Sequence, residues 1–227
     1  MERPLLFCKM TDIIGEALRY LGIKSDPGGE LRGRLEALAG ELRERVRPRH
    51  VLRVLDIRRE GEALALGESV ILPGALAADM LRDCERAALL VCTLGTSFDA
   101  WMRTAQARDM AGAVLLDALG SAWVEAGCDE AEEELAAKLP GMYLTDRFSP
   151  GYGDLPLSVQ PEILEATDAA RRLGVQVTAS CLINPQKTVT AVIGIAGMPQ
   201  PARVRGCARC PIRGECAYRK EGKNCEA

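Results

Sequence analysis

The stretch Asp146-Arg147-Phe148-Ser149-Pro150-Gly151-Tyr152-Gly153-Asp154-Leu155-Pro156 packs two prolines, two glycines, an arginine and a phenol into eleven residues. Pro150 and Pro156 bar a helix here, and Gly151 and Gly153 permit backbone angles that other residues avoid. The chain must therefore be built from elements that stop before this stretch and resume after it. A rigid loop of this composition can bring main-chain N–H and C=O groups close to a ligand. Arg147 adds a planar fork of donors suited to a carboxylate, and Tyr152 a flat face with a polar tip. The same residues also suit an ordinary turn whose arginine pairs with a neighbouring acid. Composition alone leaves both readings open.

On the N-terminal side, Thr11 or Asp12 can cap a helix carrying Ile13, Ile14, Ala17, Leu18 and Leu21, with Gly22 as its stop. Asp26-Pro27 opens a second helix whose stripe is Leu31, Leu35, Leu38, Leu42 and Val46, ended by Pro48. Val51–Ile57 and Ala63–Leu66 flank Arg58-Arg59-Glu60-Gly61-Glu62 and predict a hairpin, followed by a short strand at Val70–Leu72. Leu76–Cys84 reads as a helix, and the apolar run Ala87–Leu94 as a strand buried on both faces. The junction Thr93-Leu94-Gly95-Thr96-Ser97 leads into a helix with Phe98, Trp101 and Met102. Such a junction can receive an anion, but it lacks the Walker A lysine and the G-x-G-x-x-G spacing. Met110 to about Leu139 is the longest helical stretch, with a break expected near Gly127. After the loop, Gln160-Pro161 starts a helix through Leu173. Val175–Thr178 and Thr188–Ile195 are expected to pair around Asn184-Pro185. Strands early, helices in the middle and strands late predict an α+β fold, a mainly antiparallel twisted sheet flanked by helices. The expected division is a helical and hairpin part over 1–84, a core over 85–200 and a cysteine-rich tail over 201–227.

A net charge of −3 argues against general nucleic-acid binding. There is no run of about twenty apolar residues and no signal-peptide core, so the expected location is the cytoplasm, with no membrane span. His50 is the sole histidine. That excludes a two-cysteine, two-histidine zinc site, and any Ser-His-Asp triad would need His50 as its base. Beside Val51-Leu52 it reads as structural. Cys8, Cys84, Cys92, Cys128 and Cys181 lie among apolar neighbours and read as packing thiols.

Four more cysteines crowd the C-terminus: Cys207, Cys210, Cys216 and Cys225. A two-residue gap between Cys207 and Cys210 lets one turn aim both thiolates at one ion, and Cys216 and Cys225 can complete a four-thiolate set. That set suits structural Zn2+ or a [4Fe–4S] cluster, and free thiols are the alternative. The spacing matches neither common ferredoxin pattern, nor the C-x3-C-x2-C of radical S-adenosylmethionine enzymes. Arg203, Arg205, Arg209, Arg213, Arg219, Lys220 and Lys223 make this end locally basic.

The run Arg147-x3-Gly151-Tyr152 within RFSPGYGDLP resembles the S-adenosylmethionine-binding loop of the activation domain of cobalamin-dependent methionine synthase. Val177-Thr178-Ala179-Ser180 with Asn184-Pro185-Gln186-Lys187-Thr188-Val189-Thr190-Ala191 is similar to that family's late strands and turn. The helix from Leu116-Asp117-Ala118 to Glu125 resembles the helix before the loop. The resemblance covers roughly residues 85–198 and is specific in the loop. It implies a free-standing reactivation subunit that binds S-adenosylmethionine and caps cobalamin carried by a partner, with no complete active site of its own. By that analogy Arg147 pairs with the methionyl carboxylate, Ser149 and Gly151 meet the adenine side through their backbone, Tyr152 packs on the ligand, and Glu125 accepts from ribose hydroxyls or the amino group. The implied partner is a cobalamin-dependent methionine synthase or another corrinoid protein, with a flavodoxin or ferredoxin as electron donor. A reactivator's need for electrons favours iron–sulfur over zinc in the tail. Two departures stand out: Val192-Ile193 replaces the family's late-strand phenol, and no acidic residue upstream of Arg147 matches clearly. The rival readings are an iron–sulfur electron-transfer activator of another corrinoid methyltransferase and a non-catalytic docking protein with a zinc-stabilised tail.

Overall fold

Asp12 accepts the N–H of Gly15 at 2.9 Å through its side chain and opens the first helix. The computed structural model, in which that cap is seen, describes residues 12–23, 27–60, 63–201 and Gly214. Its helices are α1 (Ile13–Tyr20), α2 (Gly29–Arg45), α3 (Ala75–Met80), α4 (Gly95–Arg108), α5 (Met110–Lys138), α6 (Gln160–Ala166) and α7 (Ala169–Leu173). Its strands are β1 (Arg49–Glu60), β2 (Ala63–Leu66), β3 (Val70–Leu72), β4 (Arg86–Thr93), β5 (Tyr143–Leu144), β6 (Gln176–Val177), β7 (Ile183–Asn184) and β8 (Thr188–Ala196).

Six strands form one sheet in the order β3-β2-β1-β4-β8-β5, and β6 pairs with β7 apart from it. The sheet is antiparallel. Ile57 faces Leu66 and Leu66 faces Val70 along the first hairpins, and Tyr143 faces Ala196 at the far edge. The Ile57 N–H meets the Glu85 carbonyl, and the Leu94 N–H meets the Lys187 carbonyl. Each of these bonds joins the end of one strand to the start of the next, as antiparallel neighbours require. Ala87 to Thr93 are all fully buried, which is the pattern expected for β4.

Two compact units interleave along the chain. Among the described residues, one comprises 12–51, Val91–Glu134 and Asp168–Val189, the other Leu52–Leu90, Leu135–Thr167 and 190–201. In the first unit α1 packs on α2, which buries Leu35, Leu42 and Val46 of the predicted stripe together with Ala39, while Leu31 and Leu38 are half-buried. The N-cap of α2 is Gly28, one residue beyond Pro27, while Asp26 lies outside the described residues. The predicted break at Gly127 is absent, and α5 runs unbroken. Gly127 serves close approach there, because a side chain would collide with Pro48 and the Cys92 thiol. The Trp123 indole N–H donates to the Val46 carbonyl at 2.9 Å, tying α5 to the end of α2. His50 sits 3.4 Å from the Glu134 carboxylate, in keeping with its structural reading.

In the second unit α3 packs on β2, and α6 lies against β3. The predicted helix Leu76–Cys84 stops at Met80, because Arg59 of β1 takes the carbonyls of Leu81, Arg82 and Cys84. The stretch 160–173 is two helices, not one. Thr167 Oγ turns back onto the Ile163 and Leu164 carbonyls, and Asp168 adopts a left-handed φ of 55° that ends α6 before α7 begins. The expected pairing of Val175–Thr178 with Thr188–Ile195 is also corrected. Gln176 and Val177 pair with Asn184 and Ile183, while β8 joins the large sheet.

Arginines of β1 serve several carbonyl ends at once. Arg53 donates to Ala166 at the end of α6, Arg58 to Gly67 in the turn after β2, and Arg59 to the residues after α3. Within the other unit, Arg49 donates to Leu173 at the end of α7. A guanidinium suits this task, since its several N–H donors are fixed in one plane.

Candidate ligand-binding loop

The predicted loop belongs to the second unit and is held at both ends. Thr145, at its start, accepts the Gly194 N–H through Oγ at 2.8 Å and donates to the Asp146 carbonyl at 3.0 Å. Phe148 is fully buried and exchanges two backbone hydrogen bonds with Val192 of β8, at 3.1 and 2.8 Å. Beyond it the backbone closes on itself. The Tyr152 N–H reaches the Ser149 carbonyl at 3.0 Å, the Gly151 N–H the Leu155 carbonyl at 2.7 Å, and the Leu155 N–H the Tyr152 carbonyl at 3.0 Å. Gly151 stands at φ 96°, a region closed to most side-chain-bearing residues, so the turn requires it. Pro150 and Leu155 are buried beneath, and Tyr152 is 49% exposed.

This geometry assigns each predicted residue a position. Arg147 is buried and already engaged within the protein. The Ser149 carbonyl and the Gly151 N–H are used inside the loop, although a carbonyl retains a second lone pair for a ligand. Tyr152 presents a ring to solvent on a fixed backbone. Glu125 belongs to the first unit, on α5, where it is half-buried and engaged. Burial pushes the Tyr20 phenol up, and the Glu125 carboxylate adds to the shift, so these two side chains are electrostatic neighbours.

Sequence reasoning missed Asp154. One of its carboxylate oxygens accepts the Ala75 N–H at 2.6 Å and the other the Leu76 N–H at 3.0 Å, so it caps α3 from the loop. Those two bonds hold its carboxyl below the usual range. An acid spaced between Gly153 and a proline was the available signal, but its partner lies 78 and 79 residues earlier in the chain.

The other predicted features separate. At Thr93–Ser97 the Thr93 hydroxyl already accepts the Gly95 N–H at 3.1 Å and bonds Thr188 Oγ at 2.7 Å, so part of the anion-receiving end is occupied by protein. Cys84, Cys92 and Cys128 are buried thiols outside any disulfide, as expected, whereas Cys181 is half-exposed and Cys8 lies outside the described residues. Cys207, Cys210, Cys216 and Cys225 also lie outside them. Among the described residues no cluster of acids, cysteines or histidine is arranged to hold a metal, and no helix is long and apolar enough to cross a membrane.

Loop, sheet order and helices together define a class: an α+β domain whose antiparallel sheet carries the Arg-x3-Gly-Tyr loop against its inner strand β8. That class has a solved counterpart. The chain is similar in fold to the MetH reactivation domain bound to AdoHcy, with a TM-score of 0.58 and 16% identity, over 91% of this chain and 77% of that one. No family profile matches the sequence, and no curated protein is similar to it at the sequence level.

Proposed function

We propose that this protein binds an S-adenosyl ligand through the loop Asp146–Pro156 and serves as the reactivation component of a cobalamin-dependent methionine synthase. The observation that carries the reading is the coincidence of Arg147-x3-Gly151-Tyr152 with a fold similar to the AdoHcy-bound reactivation domain. Arg147, Ser149, Gly151 and Tyr152 are the proposed holders of the ligand. A methyl sulfonium ligand supplies the activated methyl group; the chain supplies position. The cobalamin belongs to a corrinoid partner, and the electrons to a flavodoxin or ferredoxin. The site of action is the cytoplasm.

Calorimetric titration of the full chain with S-adenosylmethionine and with AdoHcy tests this reading. Specific binding, weakened about tenfold or more by Tyr152→Ala and by Arg147→Lys, is the expected result, equivalent to about 1.4 kcal/mol. No binding by the wild type, alone or with a corrinoid partner, overturns it.

The second reading rests on the sequence Cys207-x2-Cys210-x5-Cys216-x8-Cys225. We propose it as an all-thiolate set for Zn2+ or [4Fe–4S], which would make the protein an electron-transfer activator or a zinc-stabilised docking protein. Metal analysis of anaerobically purified protein separates these. Iron near four per chain with redox-active absorbance supports the first, zinc near one supports the second, and neither metal removes both.

A further inference from the structure

The loop that is proposed to hold the ligand is fastened by a residue that would not touch it. Phe148 anchors one end of the loop on β8. At the other end, Asp154 commits both carboxylate oxygens to the first two amides of α3, Ala75 and Leu76, at 2.6 and 3.0 Å. The helix has no cap of its own. Its N-cap residue is Gly74, at φ 96°, and a side chain there would lie 2.7 Å from the Asp154 carboxyl carbon. Gly74 thus leaves room for the loop to deliver the cap that the helix lacks. A carboxylate suits this place, because it can accept from two amides at once and carries the charge favoured at a helix start.

Tyr152 sits between the two anchors. Its backbone is fixed in both directions, by the Ser149 carbonyl and by the Leu155 N–H, while its ring is left half-exposed. We infer that Asp154 is a positioning residue: by pinning the loop to α3 it pre-orders the Ser149–Tyr152 segment for the S-adenosyl ligand. The inference rests on the function proposed above. The physical reason is that ordering a loop costs conformational entropy for each residue fixed, so a loop ordered beforehand does not draw that cost from binding.

The test compares wild type with Asp154→Ala, Asp154→Asn and Asp154→Glu by AdoHcy calorimetry and by hydrogen exchange of the Gly151, Tyr152, Leu155, Ala75 and Leu76 amides. Asp109→Ala is the control. It removes the side-chain cap of α5, where Asp109 accepts the Gly112 N–H at 3.0 Å, and belongs to the other unit. The expected result is an AdoHcy affinity lowered about tenfold in Asp154→Ala, with faster exchange at Tyr152 and Leu155. Asp154→Asn, which keeps one acceptor but loses the second and the charge, recovers only part of both. Asp109→Ala lowers the melting temperature with affinity unchanged. If Asp154→Ala does not fold, the Asn variant decides by the same two readouts. Unchanged affinity in a binding-competent background overturns this inference alone, as does an equal loss in Asp109→Ala. Wild type that does not bind AdoHcy, with or without a corrinoid partner, overturns the proposed function and this inference together.

Discussion

In the loop Asp146–Pro156 every left-handed residue is a glycine, whereas in the hairpin between β6 and β7 the left-handed residue is Cys181, at φ 60°. The loop is closed by main-chain bonds and fastened at two distant points, β8 and α3. The hairpin has main-chain closure too, from the Thr178 N–H to the Leu182 carbonyl at 2.8 Å and from the Cys181 N–H to the Thr178 carbonyl at 2.9 Å. What sets it apart is one hydroxyl: Thr178 Oγ accepts the Leu182 N–H at 3.1 Å and bonds Ser180 Oγ at 2.9 Å, with Leu182 65% exposed at the tip. The loop therefore spends its backbone on holding a shape, and the side chain it frees is Tyr152. The hairpin tolerates a strained residue because it has only to reverse the chain before Lys187, whose ammonium reaches Asp117 at 2.9 Å and Ser121 at 2.8 Å. Rigidity without strain at the first bend is what its proposed ligand-binding role requires.

The largest test of this contrast is Phe148→Ala. Removing a fully buried ring at the sheet anchor should cost about 3–5 kcal/mol in urea unfolding and abolish ordered exchange across the loop. On the other side, Lys187→Met keeps the stem but deletes both polar contacts. With Asp117 56% exposed, solvent screening limits the loss to about 1 kcal/mol. Gly151→Ala forces a side chain into φ 96°, at a cost of about 1 kcal/mol, and should weaken AdoHcy binding more than it lowers the melting temperature. Cys181→Gly is expected to act in the opposite direction: relief of a left-handed φ slightly exceeds the added chain entropy, for a gain of about 0.5 kcal/mol. If Gly151→Ala and Cys181→Gly shift the unfolding midpoint in the same direction, the contrast fails.

Acid provides a further probe of the loop. Amide bonds from Leu76 and Ala75 place the folded-state pKa of Asp154 below its ordinary 3.8. Its contribution is complete above that value and is lost as pH falls through the depressed one. Exchange of the Ala75 and Leu76 amides, measured from pH 5 downward, should accelerate in wild type before global unfolding. In Asp154→Asn that step should be missing.

Much of the fold is written in local signals. The cap at Asp12, the stripe of α2, the pairing of β1 with β2 and the buried run of β4 depend on neighbours in sequence, and those expectations match the structure, with β1 running on to Glu60 rather than ending at Ile57. The discrepancies have long-range causes. Gly127 reads as a helix breaker until Pro48 and Cys92 are seen against it. The early end of α3 depends on Arg59, and the fate of Thr188–Ile195 on which strand claims it first. In the candidate site, Arg147 and Tyr152 stand out in the sequence because their residue types suit a ligand, and the structure adds only that Arg147 is buried and Tyr152 exposed. Asp154 was not, since an aspartate in a turn is ordinary until its two amide partners are located.

The arginines of β1 also set an order of events. Arg49 and Arg53 complete helix ends at Leu173 and Ala166, which follow them by 124 and 113 residues. At synthesis rates of about 5–20 residues per second, the strand emerges roughly 6–25 s before the carbonyls it will serve. Until then Arg49 and Arg53 have no helix ends to meet, and the late helices, once made, need the old strand already in place. The nascent chain must hold its beginning open for its end.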